Sequence, residues 1–109
     1  MIDAMIDKHA NDLLGFLLSL DAMKIKLCVR RGRVVASPRS RLTKKMVHQI
    51  EFVTPEVLRV YKMCEQACKG SALKPEAVFN NELNIADVAL LATGEHTLRD
   101  LKTYLEAVV

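Results

Sequence analysis

A chain of 109 residues, half of them hydrophobic and only 5% aromatic, fills one core, which argues against two independent domains and against an aromatic-rich β-sandwich. The net charge of +3 hides a division: Lys24, Lys26, Arg30, Arg31, Arg33, Arg39, Arg41, Lys44 and Lys45 lie in one acid-free stretch, while residues 1–21 and 70–109 are acidic. Such an island is either an anion-binding surface or is answered by acidic segments of the same chain or of a second copy.

The amino terminus "MIDAMIDKHANDLLGFLLSL" carries Asp3, Asp7 and Asp12 where a secretory leader needs positive charge, and its apolar run Leu13–Leu20 is well short of the ~20 residues that span a bilayer. A cytoplasmic, non-membrane protein is expected. Three cysteines, Cys28, Cys64 and Cys68, lack the paired spacing of a disulfide framework and agree with a reducing compartment.

In residues 3–20 the apolar positions Met5, Ile6, Leu13, Leu14, Leu17 and Leu18 recur at helical spacing, with Ile2 and Leu20 near the ends, and Asp3 and Asp7 suit the helix N-terminus. The period changes to two at Lys24. Ile25, Leu27 and Val29 then share one face of a strand, and Lys24, Lys26 and Cys28 the other. "RRGR" supplies a glycine for a tight turn, and "VVAS", ended by Pro38, returns as a second strand. The expectation is one β-hairpin, near 24–29 and 33–37, with an arginine-rich tip.

Thr43 is the expected N-cap of a helix whose Met46, Val47, Ile50 and Val53 share a face. Thr54-Pro55-Glu56 repeats the start signal, so a second helix is expected to begin there and to end at Gly70. Beyond it, "KPEAVFNNEL", "NIADVALLATG" and "HTLRDLKTYLEAVV" read as three shorter helices, introduced by Pro75, Asn84 and Thr97. The fold class is thus α+β: one mostly helical domain, 1–109, with a single hairpin and a helical segment 71–109 at its carboxy-terminal end.

The order Leu13–Leu20, Ile25–Val29, Gly32, Val34–Pro38, Leu42-Thr43, Ile50 and Pro55-Glu56-Val57-Leu58 resembles the TubC-type N-terminal docking domain of nonribosomal peptide synthetases and hybrid assembly lines. The resemblance covers about residues 13–61 and implies an αββαα core. It departs from the family at Asp21-Ala22, where glycine is usual, at Thr54, where lysine is usual, and in the 40 or so further residues that replace a synthetase module. It implies a non-catalytic docking or adaptor module whose hairpin takes an acidic partner segment, and a homodimer.

The residues expected to bind that partner are Lys24 and Lys26 on the outward strand face, Arg30, Arg31 and Arg33 at the turn, and Arg39 and Arg41 after it. An exposed hairpin edge accepts a partner as an added strand, with flanking charge setting specificity. Charges on an edge strand also serve simply to prevent aggregation. Two other readings stand beside docking: a small nucleic-acid-associated protein, and a stand-alone inhibitor of the mobile-element type that occupies a host protein's site. The island could neutralise several phosphates, but no aromatic in residues 17–51 can stack a base.

His9, His48 and His96 stand in no nucleophile, metal or phosphate motif, and Cys64 and Cys68 lack a CxxC knuckle. Neither a catalytic site nor a cofactor nor a metal is expected. The apolar residues of 71–109, among them Val78, Leu83, Val88, Leu91, Leu101, Tyr104 and Leu105, either complete the core or form an interface between copies through the last helix or the first.

Overall fold

The computed structural model describes the backbone of residues 2–108 and the side chains of 12–107. The positions Ile2, Asp3, Met5, Ile6, Asp7 and His9, read above as parts of a helix face, its N-terminal acids and an isolated histidine, have side chains outside the described residues. Helix α1 spans Ile2–Ala22, strands β1 and β2 span Lys26–Arg30 and Arg33–Ser37, and α2 spans Lys44–Ala67. A short helix, α3 (Pro75–Ala77), runs into a wide turn over Val78–Glu82; α4 (Ile85–Thr93) and α5 (Leu98–Val108) follow. The protein is a mostly helical α+β domain with one two-stranded antiparallel hairpin.

The heptad-like positions Leu13, Leu17 and Leu20 turn one side of α1 into the core. Its end is a Schellman motif: Ile25 N–H donates to Leu20 O (2.9 Å) and Lys24 N–H to Asp21 O (2.9 Å), with Lys24 left-handed at φ 59°. Leu20 and Ile25, the hydrophobic pair that accompanies such a motif, are both buried. Lys24 is therefore a helix terminator rather than a strand residue, and β1 begins two residues later than the alternation suggested. A lysine holds a left-handed position at a cost of about 1–2 kcal/mol because the motif satisfies carbonyls that α1 would otherwise leave unbonded.

The period of two survives intact. Ile25, Leu27 and Val29 are buried, whereas Lys26 is exposed and Cys28 half-buried. Arg30 pairs with Arg33 across a two-residue turn in which Arg31 (φ 54°) and Gly32 (φ 75°) are both left-handed. Positive φ at both central residues is the type I′ condition, the turn whose twist matches that of a hairpin.

Thr43 caps α2, its hydroxyl accepting from Met46 N–H at 3.1 Å. The helix then runs unbroken through Pro55, which corrects the expectation of two helices meeting at Val53–Thr54. Ile50, Val53, Val57, Val60 and Cys64 form one buried stripe at spacings of three and four, so a break at Pro55 would turn half of it out of the core. Thr54 Oγ donates to Ile50 O at 2.8 Å beside the proline, whose ring offers no N–H to Glu51. In the hairpin-and-helix region the order is accordingly αββα, with one long helix where the resemblance implied two.

Helix α4 packs against both α1 and α2, with Ile85, Val88, Ala89, Leu91 and Ala92 buried, and α5 closes over α2 with Leu101 and Leu105. The segment 71–109 thus contributes to the same core as the hairpin. Asn84 and Asp87 form a reciprocal capping box at the start of α4 (2.8 and 3.1 Å), and the guanidinium of Arg59 donates to Ala92 O at its end. Thr97 and Asp100 bracket the start of α5 in the same way.

The stretch expected as a first short helix, "KPEAVFNNEL", is helical over Pro75–Glu82, but widens after Ala77 from α to π geometry. Leu83 N–H reaches back five residues to Val78 O at 3.2 Å. This geometry buries the consecutive residues Val78 and Phe79 together and directs Asn80 toward the hairpin.

Candidate functional site

The two edges of the hairpin are treated differently. Because Arg30 and Arg33 flank a two-residue turn they are a hydrogen-bonded pair, and the ladder alternation makes Cys28–Val35 and Lys26–Ser37 the next ones. The N–H and C=O groups of Leu27 and Val29 on β1, and of Val34 and Ala36 on β2, therefore point away from the hairpin. On the β1 side Asn80 reads Val29 as a strand would: Val29 N–H donates to Oδ1 at 2.8 Å and Nδ2 donates to Val29 O at 3.0 Å. On the β2 side no hydrogen bond reaches Val34 or Ala36 from any described residue beyond the hairpin.

Beside that open edge runs a groove of about 490 Å³ lined by Val34, Val35, Ala36, Arg39, Leu42, Val47, Ile50, Glu51 and Thr54. β2 forms one wall and α2 the other. All three central residues of β2 are half-buried, in contrast to the alternating burial of β1, as befits a strand whose flank is uncovered. The groove is mostly apolar, with Arg39, Glu51 and Thr54 as its charged and polar lining residues. Arg30, Arg31 and Arg33 stand at the turn, and Arg39 and Arg41, in a single turn of 3-10 helix over Arg39–Arg41, stand at the other end of β2. Lys44 and Lys45 follow in the first turn of α2, which carries no acidic residue to offset its positive end.

The basic residues expected to meet a partner are thus distributed unequally. Arg33 and Arg39 flank the β2 edge, Arg30 and Arg31 are at the tip, and Lys26 is exposed on the outward face of the distant strand. Lys24 ends α1. Arg41 serves the fold as well, its Nη1 donating to Met23 O (3.4 Å) and Lys24 O (3.3 Å) at the end of that helix. None of the island's residues makes an ion pair among the described residues; on α2, His48 Nδ1 lies 3.8 Å from a Glu51 carboxylate oxygen.

Two residues that matter to these surfaces were passed over in the sequence. Asn80 lies 51 positions from Val29, and no local pattern marks it. Phe52 had a signal: it falls one residue off the buried stripe of α2, and it is 74% exposed.

Cys64 is buried on α2 and Cys68 at its C-terminal cap, Cys28 lies on the hairpin's outward face, and no three His, Cys, Asp or Glu side chains among the described residues come together as a metal set. Burial pushes the Cys64 thiol up to about 12, and the Cys68 thiol is raised for the same reason. Native protein treated with a thiol-specific chromogenic disulfide near pH 8 should release one equivalent quickly, from Cys28, and two more only on unfolding. Fast release of all three would contradict the buried placement. The raised Cys64 value has a sign for stability: the fold keeps a proton that the unfolded chain loses near 9.0, so this contribution is whole below 9.0 and is lost as pH rises toward 12. Urea midpoints should fall across that interval, by up to about 1.4 kcal/mol per pH unit from this group.

No described helix is long and apolar enough to cross a membrane. Comparison of the chain with protein-family models, with curated proteins and with solved structures finds no match.

Proposed function

We propose that this protein is a non-catalytic, cytoplasmic docking module that takes an acidic segment of a partner protein as a third strand along β2. The observation that carries the reading is the asymmetry of the hairpin: β1 is occupied at Val29 by Asn80, while β2 offers Val34 and Ala36 beside a mostly apolar groove that Arg39 lines, with Arg33 next to Val34 in the chain. Main-chain pairing gives an added strand its affinity, and side-chain pockets give it specificity. A five-residue strand is about 17 Å long. The segment that fits has four or five extended residues, apolar where they face Leu42, Val47 and Ile50, with carboxylates at both ends. This is also the role implied by the resemblance to TubC-type docking domains.

The test uses a fluorescent peptide of about ten residues with a central alternating β-branched run and acidic ends, titrated with the intact protein. Binding should weaken more than about tenfold in the double variant Arg33→Glu, Arg39→Glu, with the circular dichroism unchanged. Ala36→Pro should weaken it to a similar extent, because it removes the outward N–H at a position that carries no bond within the hairpin. A proline-interrupted peptide of identical charge should bind poorly. Equal binding of that control would show that charge alone is at work and would sink strand addition. Tight, sequence-selective binding of an oligonucleotide near physiological salt, lost in the same double variant, would transfer the function to nucleic acid.

A further inference from the structure

The two walls of the groove beside β2 differ in polarity. On the α2 wall stand Val47, Ile50, Glu51 and Thr54, and the Glu51 carboxylate is the one charged group among them. Thr54 spends its hydroxyl proton on Ile50 O at 2.8 Å, so toward any other group it offers lone pairs alone. The polar side chains of this wall therefore accept and do not donate. Arg39, the basic residue that lines the groove, belongs to the 3-10 turn after β2 and makes no ion pair with Glu51. His48 Nδ1, at 3.8 Å, stands beyond hydrogen-bond reach of the same carboxylate, and the Glu51 side chain is 70% exposed.

A wholly apolar strand laid in this groove would take water from Glu51 and Thr54 and return nothing for it. A carboxylate of the guest would be repelled there. A basic side chain supplies donors of opposite charge, and cover by the added strand strengthens a charged hydrogen bond that is worth little at an open surface. The acceptors of α2 thus narrow the guest further than the attraction of its acidic ends to the arginines does.

We propose that the partner segment carries one basic residue within its apolar centre, and that Glu51, with Thr54 beside it, selects that residue. The inference rests on the docking reading and refines it: the arginines draw acidic segments in, and Glu51 rejects those that are acidic throughout. Specificity of this kind uses a repulsive element as well as an attractive one.

The test uses the intact protein and acidic-ended, β-branched peptides of about ten residues, with each central residue in turn changed to lysine or to glutamate so that every register is sampled. Two effects then oppose each other in sign. Lysine lowers the negative charge of the peptide, so general attraction to the basic island predicts weaker binding at every position. Glu51 predicts that lysine at one position binds at least about fivefold more tightly than the parent, and glutamate there at least about fivefold more weakly. The lysine preference should vanish in Glu51→Gln and invert in Glu51→Lys, with the circular dichroism unchanged because the site is exposed. Glu65→Gln, which removes the same charge from an exposed position of α2 outside the groove, should keep it. If the parent binds and no lysine position gains, or the gain survives Glu51→Gln, selection by Glu51 is overturned while strand addition stands. If no peptide of the set binds, both readings fall.

Discussion

Replacing Phe79 by alanine is expected to cost about 3–5 kcal/mol of unfolding free energy, the range for emptying an aromatic site in a packed interior. Phe79 is 1% exposed and is the largest fully buried side chain. Its ring meets that of Tyr61 edge-on, with centroids 6.2 Å apart and planes at 73°, joining the wide turn to α2. The effect should extend beyond the lost contacts. Asn80 is the next residue, and its bonds to Val29 depend on where the turn is held. Urea titration should show the lower midpoint, and hydrogen exchange should show Val29 N–H losing protection more than its neighbours on β1. A loss under about 1 kcal/mol would mean that the turn does not anchor the core.

Replacing Pro55 by alanine should act in the other direction, raising stability by roughly 1–3 kcal/mol. Proline inside a helix withholds one hydrogen bond and crowds the carbonyl four residues earlier. Pro55 is exposed, so the change removes no core packing, and it gives Glu51 O a donor. Part of the gain is offset because the unfolded chain becomes freer without proline. The sign distinguishes two architectures. Were Pro55 the first residue of a separate helix, its missing N–H would be harmless, and alanine would be neutral or destabilising. A lower melting temperature for Pro55→Ala would therefore restore the two-helix reading.

This substitution also marks where the sequence stops being a guide. Thr54-Pro55-Glu56 has the local form of a helix start, and only the continuation of the buried stripe from Val53 to Val57 and Val60 reveals that packing outweighs it. Local features fared well: the two-residue period of β1, the arginine-glycine turn, and the caps at Thr43, Asn84 and Thr97 all stand where short-range chemistry puts them. The end of α1 was hidden because its left-handed residue is a lysine rather than a glycine. Of the candidate site, the sequence displayed the charge but not its geometry. Which arginines flank an open edge depends on Asn80 closing the opposite one, a contact across 51 residues that no window of sequence contains.

The amide of Asn80 also bears on how many molecules can join one sheet. A hairpin with two open edges can grow at both sides without limit, which is the geometry of fibres. With Val29 already engaged and the wide turn lying along β1, growth at that edge is hindered. If a partner docks as proposed, one added strand along β2 is expected, and titration should give one guest per chain. Two copies meeting by their β2 edges would form four strands, with an asparagine on Val29 at each outer edge.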